Sequence, residues 1–435
     1  MGGIGGFWTL WTATVLSRLG DALRTPALAL LAASVTRDPR AVTLVVAAGQ
    51  LPPLLFGLVG GVYADRWDRR RTMATVDGIR AVLVAGFALL VVTGDVGIVA
   101  LVGCTFLLAT LGVFFDAAAF AVLPGIVPAD RLAVANGRLQ AGTAVAGGFV
   151  GAPLAGVLFA VSAALPFAVD AVTFAAAALL ALTLTRRPSP ILLPGPASET
   201  TPDPTAAAAI PKAGPDTAAA IPKAGPDTAR AGWRAAGEGL RWIWQDRILR
   251  RITGLTVVAN LATSGLIAIF VLYALEVLAV PAAGYGLFMS AAVLGALGGG
   301  LCAGRIAARL GTLPGLRAVL VAETLAAAAL ALARHPVPGG IALAVFSAGT
   351  AIWNALWSAY GQRNVPAELL GRVGGAQRTV ALLAAPVGAI GAGLLGSATG
   401  LPPVLYAVTA VFILLTVLSW PYLRPPRAAG PDTAS

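Results

Sequence analysis

Apolar runs of about twenty residues recur twelve times along this chain, at roughly 8–33, 41–64, 72–93, 97–122, 138–160, 165–185, 251–279, 284–308, 315–333, 338–360, 376–398 and 401–423. Each is long enough to cross a bilayer as a helix, which takes about twenty mostly apolar residues. Six runs precede a polar stretch near 186–248 and six follow it. The pattern predicts an all-α membrane protein built as an N-terminal six-helix bundle (1–185), a linker (186–248), a C-terminal six-helix bundle (249–423) and a short tail (424–435).

The linker contains "AAIPKAGPDTA" twice, at 208–218 and 219–229. Proline, glycine and alanine at that density cannot bury a core, so this part is expected to be disordered. The following "EGLRWIWQDRILRR" (238–251) interleaves tryptophan and isoleucine with arginine, as suits a helix lying at a membrane surface with its arginines toward anionic lipid.

The two sets of six runs echo one another. "VPADRL" at 127–132 returns as "VPAELL" at 365–370, and Gly61 and Arg66 fall on Gly300 and Arg305. At offsets of 238 or 239 residues Asp21 falls on Asn260 and Asp116 on Asn354. Joined segments of the same rank and direction imply parallel duplicated halves. In proteins of that build the substrate site lies at the repeat interface near the bilayer midplane.

Composition agrees. The chain has 435 residues, of which 58% are hydrophobic and 11% charged, against roughly a quarter charged in a soluble domain. Its net charge of +11 is scattered in short clusters and forms no patch for nucleic acid. Of 30 basic residues, 24 lie in or beside loops of one parity or in the tail. By the positive-inside rule those loops and both termini are cytoplasmic, which for a bacterial chain means the cell (inner) membrane. The opening "MGGIGGFWTL" has no basic residue, so no cleaved leader is expected.

Several classes of chemistry are disfavoured. The lysines are Lys212 and Lys223, both in the linker, so no phosphate-binding G-x-x-x-x-G-K loop exists. Cys104 and Cys302 sit inside apolar runs and His335 stands alone, so neither a metal site nor a nucleophile–base pair is indicated. No enzyme activity and no cofactor are expected.

One stretch breaks the apolar pattern abruptly. "GGVYADRWDRRR" (60–71) places two aspartates and four arginines at the cytoplasmic end of the second run. Gly61 permits a close helix approach. Asp65 sits where a carboxylate can meet emerging helix N-termini. Arg66, Arg69 and Arg70 can pair with acids that come near in one state only. Within the first run, Ser17, Arg18, Asp21 and Arg24 share a 120° arc at 100° per residue. A charge at a span's centre costs roughly 2.5–3.5 kcal/mol on insertion scales, so these groups face partners or a wet cavity. Asp21 can then carry a proton or sit in a static pair with Arg18 or Arg24. Asp77 and Arg80, three apart, should pair. Asp170 reads as a helix-end residue, and Glu276 and Glu323 carry no assigned role.

Twelve spans in two sixes, a long central loop and Gly61, Asp65, Arg66, Arg69 and Arg70 in the spacing G-x-x-x-D-R-x-x-R-R resemble the major facilitator superfamily. "FFDAAAFAVLPGIVP", "EGLRWIWQDRILR" and "QRNVPAELLGRVGG" resemble its macrolide efflux and enterobactin exporter branch, although Ala117 stands where that branch usually has proline. "GGFVGAPLAG" (147–156) loosely resembles the antiporter motif of the fifth helix, with Ala152 in place of a glycine. The resemblance implies a cytoplasmic latch at 61–70. It also implies a cavity lined by spans 1, 4, 7 and 10. That would gather Asp21 and Asp116, opposite Asn260 and Asn354, with Trp353 and Trp357 as walls. The expected function is secondary active export of a small amphipathic molecule by alternating access with proton antiport. A facilitator or importer of the same fold, or a transport-inactive scaffold, are the alternatives. The expected partners are a small-molecule substrate, protons and membrane lipid, with the protein a monomer.

Overall fold

The computed structural model describes residues 2–64, 68–127, 131–184, 237, 240–366 and 369–422. The doubled "AAIPKAGPDTA" segment, Asp65, Arg66 and the tail beyond 422 lie outside these residues. The N-terminal half comprises α1 (Gly2–Val35), α2 (Pro39–Ala64), α3 (Arg69–Thr93) and α4 (Ile98–Ile126). A fifth span is built from α5 (Leu132–Ala144), a π-helical segment (Val145–Gly151) and α6 (Ala152–Val161), and α7 (Leu165–Thr183) follows. The C-terminal half comprises α8 (Arg247–Glu276), α9 (Tyr285–Leu310), α10 (Thr312–Leu332), α11 (Pro336–Asn364), α12 (Leu370–Thr399) and α13 (Leu401–Ser419). Among the described residues eleven helical spans are long and apolar enough to cross a membrane. The twelfth, α1, misses that standard because Arg18, Asp21 and Arg24 stand in its middle.

Helix starts follow local chemistry. Asp68 caps α3, its carboxylate accepting from the amides of Arg70 and Arg71, and Asp246 caps α8 by accepting from Ile248 and Leu249 at 2.8 Å. Each cap satisfies backbone donors that would otherwise be orphaned at a helix N-terminus. Residues 240–245 are helical ahead of Asp246. Ile243 is buried against the C-terminal half while Trp244 points outward, with Arg250 over its ring and bonded to its carbonyl.

The apolar cores show how the halves meet. At the end of the bundle away from the linker a single core runs through both halves, from Leu28, Leu31 and Phe167 to Phe270, Tyr273 and Phe412. At the linker end there are two cores. Phe7, Leu10, Met73 and Phe115 form one within the N-terminal half, and Leu249, Leu316, Trp353 and Trp357 form the other within the C-terminal half. The halves are thus closed on each other at the far end.

Glycine makes that closure. A Cβ on Gly286 of α9 would overlap the carbonyl oxygen of Ala152 on α6, and one on Gly156 would come 2.6 Å from the carbonyl of Ala283. Gly148, within the π-helical segment, abuts Val293, and Ser290 donates to the Gly148 carbonyl at 3.5 Å. On the other side of the interface Arg40 of α2 donates to Ser397 of α12 at 2.6 Å. Gly286→Val should therefore destabilise this closed arrangement by about 1–3 kcal/mol, the usual cost of overpacking. A thermal melt of the purified protein checks this, and an unchanged midpoint would show that the backbone contact carries no weight.

Candidate functional site

Seven charged side chains from four helices of the N-terminal half form one connected network. Asp21 is its hub. It lies 2.5 Å from Arg24, 3.6 Å from Arg18 and 4.0 Å from Arg80. Each arginine also holds a carboxylate of its own. Arg24 bonds Asp170 of α7 at 3.1 Å, Arg80 bonds Asp77 of α3 at 3.4 Å, and Arg18 bonds Asp116 of α4. Ser17 donates to Asp77 at 3.3 Å, and Arg80 also reaches the Leu108 carbonyl at 3.4 Å. Phe174 lies under both Arg24 and Arg80, with ring centroids 5.6 and 4.9 Å away.

The set contains three guanidinium groups and four carboxylates. Asp77 and Asp170 are fully buried, whereas the side chains of Asp116 and Arg18 are 51% and 39% exposed although both lie well inside their helices. The network therefore runs from a wet edge at Arg18 and Asp116 to a dry interior at Asp77 and Asp170. The second half has no equivalent. Positions 239 residues beyond Arg18, Asp21, Arg24, Asp77, Arg80 and Asp170 are Val257, Asn260, Thr263, Leu316, Val319 and Thr409, none of them charged.

The Asp77–Arg80 pair forms as its spacing predicts. Asp170 differs from a helix-end residue: it sits on the second turn of α7, facing α1, where Arg24 meets it. Nothing in the local sequence of α7 points to a partner some 146 positions away.

The amides occupy different ground. A cavity of about 610 Å³ lies among α8, α9 and α11 of the C-terminal half, walled by Phe270, Tyr285, Met289, Phe346, Thr350 and Asn354, among others. Leu343, Ser347, Thr350 and Asn354 recur at three- and four-residue spacing and share one face of α11. Asn260 extends the matching stripe of Thr263, Ile267 and Phe270 on α8, one turn beyond the cavity. Trp353 and Trp357 do not line this cavity. They lie on another face of α11, buried in the linker-end core, where Trp353 donates its indole hydrogen to Thr256 at 3.2 Å. Neither Asp21 nor Asp116 lines this cavity.

Of the 61–70 motif, Gly61 lies in the last turn of α2, while Arg69 and Arg70 open α3. The Arg70 guanidinium donates to the carbonyl of Leu184 at the end of α7, a contact within its own half. The cap residue Asp68 was not singled out from sequence. Its signal is an aspartate directly before the first helical residue, two and three positions ahead of the amides it accepts.

Twelve spans in two halves, sealed at one end around glycine contacts and carrying a charge network and a cavity in their interior, define a polytopic transport protein rather than an enzyme. The Major Facilitator Superfamily profile matches residues 10–389, and the chain belongs to that family. Uncharacterized MFS-type transporters of Mycobacterium tuberculosis (strain ATCC 25618 / H37Rv) and Mycobacterium bovis (strain ATCC BAA-935 / AF2122/97) are each 33% identical over 150 residues. These matches cover 34% of this chain and only 33% of the length of each relative. Among solved structures, the nucleoside transporter NupG superposes with a TM-score of 0.70 at 13% identity, covering 97% of this chain and 100% of that one. A bacterial homologue of the iron transporter ferroportin gives 0.70 at 13% over 97% and 99%. A bacterial homologue of the lysosomal transporter Spinster gives 0.69 at 13% over 98% and 99%. These likenesses establish the fold.

Proposed function

We propose that this protein is a secondary active exporter of a small amphipathic molecule, working by alternating access in exchange for protons. The observation that carries this reading is the charge balance of the network, four carboxylates against three arginines. Fully ionised, the set holds one uncompensated negative charge inside a membrane domain, a costly arrangement. One proton removes it. Asp21 can take that proton with no other change, because Arg18, Arg24 and Arg80 each keep a carboxylate of their own. Asp116, at the wet edge, is the second candidate: if it is protonated, Arg18 turns to Asp21, already 3.6 Å away. A uniporter has no need of such a surplus.

Alternating access is supported by the shared core at the far end and the split cores at the linker end. On the orientation given by the basic loops, the interior is then reached from the cytoplasm of a bacterial cell, with both termini on that side. The outward direction rests on the likeness of 114–128, 238–250 and 362–375 to the macrolide efflux and enterobactin exporter branch. The coupling test is gradient-driven flux in proteoliposomes for Asp21→Asn, developed in the Discussion.

The 61–70 motif supplies the latch. An aspartate does nothing for a positive-inside signal, so Asp65 serves the gate. Asp65→Asn should impair transport while expression and membrane insertion stay near wild type. Cysteine labelling at the linker-end mouth should rise as the gate loosens. Wild-type flux in this variant would remove the latch from the motif.

A further inference from the structure

Glu323 is the remaining acid deep in the helices that the charge network does not use. It lies midway along α10 and is 4% exposed. The Thr350 hydroxyl of α11 donates to its Oε1 at 2.9 Å. Thr350 is a wall residue of the 610 Å³ cavity. The carboxyl group therefore stands directly behind that wall, one hydroxyl away from the cavity. The local build makes room for it. A Cβ on Gly349 would fall 2.5 Å from Glu323 Cγ and 3.3 Å from Oε1, so α11 presents a glycine where the acid packs.

No ion pair involving Glu323 forms among the described residues. The charged groups on its own helix and on the helices packed against it are Arg317, Arg305, Arg309 and Arg363. All belong to the linker end: Arg317 lies over the Trp420 ring at 3.5 Å, and the other three are exposed. Among the described residues the cavity wall carries no charged side chain. It offers the aromatic rings of Phe270, Tyr285 and Phe346, the Met289 thioether, and the hydroxyls of Thr263, Ser347 and Thr350.

We propose that this cavity is a binding site for an amphipathic organic cation, with Glu323 supplying the charge recognition through Thr350. A buried carboxylate without a cation is expensive. Two things remove that cost: a proton on Glu323, or a positive charge brought by the ligand. The rings and the thioether fit the ligand's apolar body, and aromatic faces add cation–π attraction. An anion gains nothing here, since no cationic side chain among the described residues lines the cavity. Cation entry then exchanges with the proton on Glu323, so one charge replaces another within the same wall. The inference rests on the transport reading for its biological sense but makes a claim about binding alone.

Tetraphenylphosphonium and tetraphenylborate have the same shape and opposite charge, and they make a direct test on the purified full-length protein in lipid nanodiscs. The phosphonium should bind at least about tenfold more tightly than the borate, a difference of ~1.4 kcal/mol. Glu323→Gln should remove that preference while leaving affinity for a neutral aromatic probe unchanged. Phosphonium binding to the wild type, in weakly buffered solution, should release protons, and the variant should release none. Gly349→Leu, which displaces the Glu323 side chain without touching its charge, should weaken phosphonium binding as well. Equal affinity for the two ions, or a preference that survives Glu323→Gln and vanishes in Asp116→Asn, overturns the proposal. Because binding is read without flux, its failure leaves proton-coupled export standing. Loss of gradient-driven flux with cation binding intact counts against the coupling alone.

Discussion

Arg24→Gln should yield little folded protein. Among the described residues Arg24 is the sole ion-pair partner of Asp170, a fully buried carboxylate, and also the closest partner of the hub Asp21. Without the guanidinium, Asp170 is left charged and alone against α1, and the network goes from one surplus carboxylate to two. Breaking a buried pair by removing one partner costs roughly 3–5 kcal/mol, a large share of the 5–15 kcal/mol that holds a typical domain together. The expected result is a fall in detergent-extracted monodisperse yield and a lower melting midpoint. The compensating change is Asp170→Asn in the same chain, which removes the acid that Arg24 no longer neutralises. The double variant should regain much of the lost stability. If Arg24→Gln folds as well as wild type, the Arg24–Asp170 pair is not the structural anchor of α1 on α7.

The surface pair Arg37–Glu276 makes the contrast. It is 3.9 Å long and solvent-exposed at Arg37, and it bridges the halves at the far end. Exposed pairs contribute about 0–1 kcal/mol. Glu276→Gln should leave the melting midpoint nearly unchanged, which thermal unfolding measures directly.

How much of this was legible before the fold was known follows from the range of each signal. Spans and their pairing into halves are properties of composition over twenty-residue windows and of offsets along one chain, and both survive in the sequence. The Asp77–Arg80 pair is legible because its members sit one helical turn apart. The Arg18–Asp116 and Arg24–Asp170 pairs are not, because they depend on which faces of α1, α4 and α7 turn toward each other. Helix packing sets that, and separations of 98 and 146 residues leave no local trace. The fate of α11 makes the same point. Trp353 and Asn354 are neighbours in sequence, but 100° of helix rotation sends one into the core and the other to a cavity wall. Glu323 had no visible partner in the sequence because its partner is a threonine rather than a charge.

Asp21→Asn should behave quite differently from Arg24→Gln. It removes the hub carboxylate, yet it orphans no arginine: Arg18 keeps Asp116, Arg24 keeps Asp170 and Arg80 keeps Asp77. The network becomes three acids against three bases, and folding should survive. What is lost is the surplus. An exporter driven by a proton gradient needs a group that is neutral in one access state and charged in the other, and an asparagine cannot alternate. Export against a concentration gradient, driven by an imposed pH difference across proteoliposomes, should fall by roughly tenfold or more, the loss of a coupling energy above ~1.4 kcal/mol. Downhill exchange of substrate, which needs only the rocking of the two halves, should remain measurable. Yield of folded protein, recorded beside the flux, separates lost coupling from lost structure. Gradient-driven export persisting in Asp21→Asn would pass the role to Asp116, the more exposed acid of the network. Persistence in the double variant Asp21→Asn/Asp116→Asn would move the coupling to a group other than these two acids, because uphill export still driven by the pH difference cannot be facilitated diffusion.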